Sequence, residues 1–222
     1  VNQLVTPDAV ESGAGALADW IKPGRTALVL IDMQVDFASP DGILAGYGID
    51  MAPLAPALAA SEALAEAARA AGVPVIFVGL FTSPESDSPA WKTRMLRRGG
   101  DPEGDSHLCR IGEVGSDFYG PLPRPGDAIV KKTKYSGFVG TDLDARLKAL
   151  GVDTLVVTGV TTECCVDCTV RDAFHLDYHV FIPTDACAAY EEDLHSSSLK
   201  NLELNCAILT TSAEVMSVWE PA

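Results

Sequence analysis

Basic residues are scarce in this 222-residue chain: 16 Lys plus Arg stand against 31 Asp plus Glu, a formal charge of −15. A nucleic-acid binder needs a basic face to release counterions from phosphates, so that class is excluded, and docking on anionic lipid is disfavoured. No apolar run reaches the roughly 18 residues that span a bilayer. The opening VNQLVTPDAVESG has neither the basic start nor the apolar middle of a signal peptide. It also has no initiator Met, so residues are expected to precede it. Six cysteines are too few for a disulfide scaffold, which suits a reduced, cytoplasmic protein. Cys165-x-x-Cys168 lacks the second ligand pair that zinc would want, and four scattered histidines do not supply one. No metal or other cofactor is expected.

What is present is a core and a rhythm. Hydrophobic residues make up 47% and charged residues 21%, which disfavours wholesale disorder. Short apolar runs at 26–32, 73–81, 127–131, 154–159, 178–185 and 206–211 alternate with helix-like stretches at 53–71, 141–150, 164–178, 191–205 and 212–219. Such runs are continuous rather than alternating, as in strands covered on both faces. Strand–helix alternation predicts an α/β fold: a Rossmann-like, three-layer α/β/α sandwich on a six-stranded, mainly parallel sheet. The whole of 1–222 is read as one domain. The stretch 82–125 is weakly periodic and rich in Gly, Pro, Ser and charge, with WKTRMLRR at 91–98 as a short basic helix; it is expected to be a substrate-covering insertion.

Open α/β sheets bind ligands at the carboxyl ends of their strands. Those ends deliver Asp32, Lys132 and the block GVTTECC with Cys165 at a helix start. An acid, a base and a thiol there suit nucleophilic catalysis. Each also has a plain reading: Asp32 as a turn residue, Lys132 as a solvated charge in KKTK, Cys165 as a small buried hydrophobe. A cysteine at a helix N-terminus is expected to favour thiolate, with Thr161 and Thr162 as cap residues. Spacing alone does not choose among Cys164, Cys165 and Cys168. Phe37, Phe81, Trp91, Tyr135 and Phe138 fall after strand ends or in the long segment, and Phe37 and Trp91 are singled out as pocket candidates.

At TALVLIDMQVDF (26–37), KKTKYSGFVGTDLDARLKALGVDTLVVTGVTTECCVDCTVRDA (131–173) and DACAAY with the later His195, the sequence resembles the isochorismatase-like (cysteine hydrolase) superfamily. The resemblance covers most of the chain, with 82–125 matching poorly. It implies a catalytic triad of Asp32 as acid/base, Lys132 six residues before Phe138, and Cys165 as nucleophile. It also implies a cis peptide bond at Val160–Thr161, and backbone N–H groups of Thr161 and Cys165 as oxyanion donors. Gln34, Phe37, Trp91, Tyr135 and Glu163 become substrate-binding candidates. The implied reaction is hydrolysis of a small amide or ureido carbon–nitrogen bond through a thioester, closest to ureidoacrylate, biuret and N-carbamoylsarcosine hydrolases. Glu163 stands where ureidoacrylate hydrolases tend to have Asn. LFTSPESD (80–87) lacks the Asp-x-His motif of metal-assisted nicotinamidases.

Three alternatives accompany this reading. The −15 charge and Glu163 would suit a cationic cyclic amide such as a streptothricin-type lactam, against the plain reading of an acidic surface that keeps the protein soluble. The same fold could serve as a non-catalytic interaction domain, against which the complete Asp32, Lys132 and Cys165 set speaks. A redox CxxC protein would use Cys165 and Cys168, without a thioredoxin-like context. The expected partners are a small-molecule substrate and further copies of the chain, as a homo-dimer or homo-tetramer, with the tail SVWEPA packing on a neighbour.

Overall fold

In the computed structural model, which describes residues 14–97, 99–102 and 107–220, each apolar run becomes a strand. They are Thr26–Ile31 (β1), Val75–Leu80 (β2), Ala128–Lys132 (β3), Thr154–Val160 (β4), His179–Pro183 (β5), Cys187–Ala188 (β6) and Ile208–Thr210 (β7). The sheet order is β3-β2-β1-β4-β5-β7, with β6 pairing beside β4, and every pairing between these strands is parallel. The sheet therefore has seven strands where six were expected. The extra one is two residues long, set after the single 3₁₀ turn Thr184–Ala186 that ends β5. So short a strand has no periodicity to betray it.

Successive side chains of a strand point to opposite faces, and β1 divides accordingly. Leu28 and Leu30 join one core, with Phe77, Val156, Val215 and Trp219; Ala27, Val29 and Ile31 join the other, with Val78, Leu147, Val170 and Leu202. Helices Ala14–Trp20 (α1), Ala55–Ala70 (α4) and Ser212–Trp219 (α9) cover the first face. Helices Leu143–Ala149 (α6), Asp167–His175 (α7) and Glu192–Asn205 (α8) cover the second. This is the three-layer α/β/α sandwich. Helix α9 opens on a full capping box, Thr211 with Glu214. Its Trp219 is buried against its own chain and donates to the Ile21 carbonyl at 2.9 Å, so this part of the tail packs inward rather than on a neighbour.

Two single-turn helices, Val35–Ala38 (α2) and Ile43–Gly46 (α3), follow β1. They are too short for a helical period. The buried Asp36 carboxylate places them by accepting from the backbone N–H of Ile43 (3.2 Å) and of Cys109 (2.6 Å). That second bond also ties the 82–125 stretch to the body. The same stretch holds helix Pro89–Leu96 (α5) and is bridged at Thr82–Arg110 and Gln34–Phe118. Arg98 and 103–106 within it lie outside the described residues, as do 1–13 and 221–222. Among the described residues, no helix is long and apolar enough to cross a membrane.

The chain enters the sheet at β1, winds outward to β3, then crosses back to β4 on the other side of β1. That reversal opens a crevice between the carboxyl ends of β1 and β4. The strands approach closely there because Gly159 has no side chain: at φ +130° an added Cβ would lie 2.2 Å from the Ile31 carbonyl oxygen. Gly159→Ala is expected to lower stability by about 3 kcal/mol or more, through overpacking and backbone strain together. Urea unfolding measures it, and a midpoint equal to that of the unsubstituted protein would refute the close-approach argument.

Candidate active site

Three strand ends supply the reactive groups. Asp32 follows β1 in a left-handed conformation (φ +49°), its backbone N–H held by the Val78 carbonyl at 2.8 Å. Lys132 is the last residue of β3, two strands away, and its long side chain reaches past the end of β2. Its Nζ donates to Asp32 Oδ2 at 2.7 Å, to the Lys134 carbonyl at 3.0 Å and to Cys165 Sγ at 3.5 Å. Cys165 sits in a π-helical turn, Thr162–Val166, between β4 and α7. Of the three clustered cysteines it is Cys165 that meets Lys132. The Val160–Thr161 peptide bond is cis.

The turn is braced from both neighbours. Thr169 Oγ1 donates to the Cys165 carbonyl at 2.7 Å and accepts from Gly137 N–H at 2.9 Å. From α8, Ser198 donates to the Thr162 carbonyl at 3.2 Å, and His195 Nδ1 meets Thr162 Oγ1 at 2.8 Å. Neither threonine caps the turn as expected: Thr162 is engaged by His195, and Thr161 Oγ1 donates to Glu163 Oε1 at 2.9 Å.

Asp32 and Lys132 are each 1% exposed and Cys165 is 7% exposed, so solvent screens them poorly. Burial pushes the Asp32 carboxyl above its ordinary value, against the pull of the Lys132 ammonium and the Cys165 thiol. Burial would lower Lys132, but the Asp32 carboxylate and the Cys165 sulfur outweigh it and keep the ammonium charged. The Cys165 thiol is pushed well up by its interaction with Cys164, by burial and by the Asp32 charge, with Lys132 opposing. The expected pull of a helix N-terminus toward thiolate is thus opposed by burial and by the Asp32 charge, and the buried Asp32 Oδ1 makes no hydrogen bond by geometry.

Asp32 and Cys165 form part of the wall of a cavity of about 660 Å³, closed further by Phe37, Trp91 and Tyr190, with the Lys132 side chain buried behind them. Phe37, Trp91, Tyr135, Val160, Thr161 and Glu163 all line it, with Asp32 and Cys165. Gln34 does not. It is fully buried, and its amide is consumed by backbone: Nε2 donates to the Leu80 and Ser116 carbonyls, each at 2.9 Å, and Oε1 accepts from Leu80 N–H at 2.8 Å. Gln34 thus straps β1 to β2 instead of touching a substrate. Of the neighbouring lysines, Lys131 lies over the Phe81 ring (4.9 Å) and Lys134 donates to Ser88 Oγ (3.2 Å).

Sequence reasoning passed over Arg94, Tyr190 and Cys164, all of which line the cavity. Arg94 carried a signal, its place three residues after Trp91 on one helix face, yet WKTRMLRR has three further basic residues that compete for the role. Tyr190 donates to the Phe37 carbonyl at 2.7 Å, a pairing 153 residues apart that no local pattern announces. Among the described residues, no three His, Cys, Asp or Glu side chains gather into a metal-binding group.

Comparison with known proteins shows which family the chain resembles. The isochorismatase domain model matches residues 26–214. A ureidoacrylate amidohydrolase RutB from Methylobacterium radiotolerans is 37% identical over 195 residues, 82% of this chain and 75% of that protein. A cysteine hydrolase from Pseudomonas syringae pv. phaseolicola superposes with a TM-score of 0.78 at 32% identity, covering 90% of this chain and 94% of that one. An N-carbamoylsarcosine amidase from Thermoplasma acidophilum superposes at 0.66 with 28% identity, over 85% and 96%. With the domain match running through all three strand ends, this chain belongs to the isochorismatase family.

Proposed function

We propose that the chain is a cysteine-dependent amidohydrolase that cleaves a small amide or ureido carbon–nitrogen bond through a thioester. The coarser class, a hydrolase of carbon–nitrogen bonds other than peptide bonds, follows from the family and its amidohydrolase relatives. One observation carries the finer reading: a single buried ammonium, Lys132 Nζ, lies 2.7 Å from the Asp32 carboxylate and 3.5 Å from the Cys165 sulfur, and both of these partners line a cavity. Relatives named ureidoacrylate amidohydrolase and N-carbamoylsarcosine amidase support a ureido or carbamoyl substrate.

In the first half-reaction, Asp32 takes the proton of the Cys165 thiol as sulfur attacks the carbonyl carbon. A C–S bond forms, and the carbonyl electron pair moves to oxygen, where the N–H groups of Thr161 and Cys165 are the donors we assign. Collapse breaks the C–N bond, and the departing nitrogen takes the proton from Asp32, leaving as ammonia or an amine. Water then attacks the thioester and gives its proton to Asp32. The tetrahedral adduct expels sulfur, which recovers the proton, and the acid product leaves. Lys132 keeps Asp32 ionised before each proton uptake and oriented throughout, and its charge favours sulfur as it becomes negative. The 82–125 stretch supplies Trp91 and Arg94 to the cavity and in this reading covers the substrate.

Ammonia release from a panel of ureido compounds and amides tests the reaction. Cys165→Ala is expected to remove activity to background, and Asp32→Asn to lower kcat by about 10²–10⁴-fold as a lost acid/base. Full turnover by Cys165→Ala would sink the mechanism, and no turnover by the intact protein on any compound would favour the interaction-domain alternative.

The proton inventory makes a second, less intuitive demand. Asp32 raises the Cys165 thiol electrostatically and Lys132 lowers it. Asp32→Asn should therefore move the thiol pKa down, giving a more abundant thiolate in an inactive protein, while Lys132→Met should move it further up. Thiolate absorbance at 240 nm against pH, taken as the difference from a Cys165→Ser protein, reads both. Shifts of the same sign in the two variants would contradict this charge arrangement.

A further inference from the structure

Helix α8 grips the nucleophile turn at one residue, Thr162, and by both of its polar ends. His195 Nδ1 meets the Thr162 hydroxyl at 2.8 Å, and Ser198 Oγ donates to the Thr162 carbonyl at 3.2 Å. Thr162 is fully buried. In either histidine tautomer its hydroxyl is committed to the ring, as donor or as acceptor. The proton steps above use neither side chain, so the pairing calls for a reason of its own.

That reason lies in the backbone N–H groups of the turn. The Thr161 carbonyl accepts from Cys164 N–H at 3.0 Å and from Val166 N–H at 3.3 Å, and the Thr162 carbonyl accepts from Asp167 N–H. This π spacing passes over Cys165, whose N–H would be the partner of the Thr161 carbonyl in an α-turn. A threonine hydroxyl at a helix start takes the N–H two or three residues on. For Thr161 that means Glu163 or Cys164, and for Thr162 it means Cys164 or Cys165. Thr161 makes no such cap and donates to Glu163 Oε1 at 2.9 Å, while the Thr162 hydroxyl is drawn away by His195. Hydroxyls without another partner turn to nearby backbone. Without the ring, Thr162 would cap a helix begun one residue later and occupy the Cys165 N–H, the group assigned above to the oxyanion.

We propose that His195 is a positioning residue: by holding the Thr162 hydroxyl, it keeps the Cys165 N–H open to the oxyanion that forms when sulfur attacks. Ser198 completes the grip from the next turn of α8. His195 does not line the cavity and acts through Thr162. This rests on the amidohydrolase reading above and adds to it a residue outside the cavity wall.

The test uses His195→Leu, which removes the ring nitrogen and keeps apolar bulk, and His195→Asn, which keeps a polar atom near the place of Nδ1. Turnover is measured on the panel compound that the intact protein hydrolyses fastest. His195→Leu should lower kcat by about 10–100-fold, short of the roughly 10²–10³ for deleting an oxyanion donor, with KM little changed. His195→Asn should recover most of that loss. So should Thr162→Val added to His195→Leu, because the competing hydroxyl is then gone; residues in contact show such coupling. Alkylation of Cys165 by iodoacetamide, a substitution that builds no oxyanion, should keep its rate in all three proteins. A role confined to holding the turn in place would slow alkylation together with turnover and leave the double variant as impaired as His195→Leu. That outcome, or an unchanged kcat in His195→Leu, overturns the proposal.

The Cys165 amide gives a readout that needs no turnover. In protein carrying isotope-labelled cysteine, its magnetic resonance signal, assigned by its loss from Cys165→Ser, should move downfield in His195→Leu, as a new hydrogen bond requires. It should return in His195→Leu/Thr162→Val. If the intact protein releases no ammonia from any compound, the hydrolytic reading fails, while these two shifts leave the His195–Thr162 hold standing. A signal unmoved by His195→Leu overturns that hold.

Discussion

A buried ion pair organises this molecule. Asp32 and Lys132 are almost inaccessible to water, and taking two charges out of water costs several kcal/mol per ion before their attraction and hydrogen bonds offset it. Such a pair is a poor way to gain stability, and breaking one by removing a partner typically costs about 3–5 kcal/mol. Its value here lies in what it holds ready. The same ammonium that neutralises the carboxylate reaches the sulfur, so a proton can move from Cys165 to Asp32 with the thiolate already facing a cation. Charge is rearranged inside a preorganised site and no solvent need reorient.

The sheet exists to make that contact possible. Asp32 and Lys132 are 100 residues apart and come from strands that are not neighbours, with β2 between them. Parallel register aligns the strand ends: Leu80 pairs with Lys132, and Ile31 pairs with both Val78 and Gly159. Gln34 then fixes the β1 exit to the β2 exit through two backbone bonds to Leu80, and a third ties it to the Ser116 carbonyl. A lysine is the one cation with the reach and the slender stem to cross a strand end while dropping its remaining hydrogen bond on the Lys134 carbonyl. The structural and chemical demands on residues 31–34 are therefore a single demand.

Much of this is legible in sequence because it rests on long-range regularities. Strands buried on both faces read as continuous apolar runs, and the helix from Ala55 to Ala70 announces itself by composition and by its Pro and Gly boundaries. The winding rule then places Asp32, Lys132 and Cys165 at one edge, and the family resemblance chooses among three cysteines. What escaped depends on neighbours distant in the chain. The two-residue β6 and the single-turn helices after β1 have no period of their own. What acts on the Cys165 thiol was legible only in part, because a helix N-terminus is local, whereas burial, Cys164 and the Asp32 carboxylate are not visible until the chain folds. Gln34 looked free for a ligand because sequence cannot count the backbone groups that meet its amide.

Net charge is the feature whose meaning the fold changes most. A charge of −15 invites the idea of a cationic ligand, but charge on an exposed surface is screened over about 8 Å at physiological ionic strength. Many of these acids are also spent on local pairs, such as Asp144 with Lys148 and Asp142 with Arg146 on one helix. Inside the cavity, Asp32 is cancelled by Lys132, while Asp50, which accepts from the Ala52 N–H at 2.9 Å, and Glu191 also line the wall. What a ligand meets at contact distance is then a short list of unmatched groups, with Arg94 the cation and Glu163 the acceptor among them. Surface charge sets how fast ions of either sign arrive. The sign that is held is set by the few buried groups that still lack a partner.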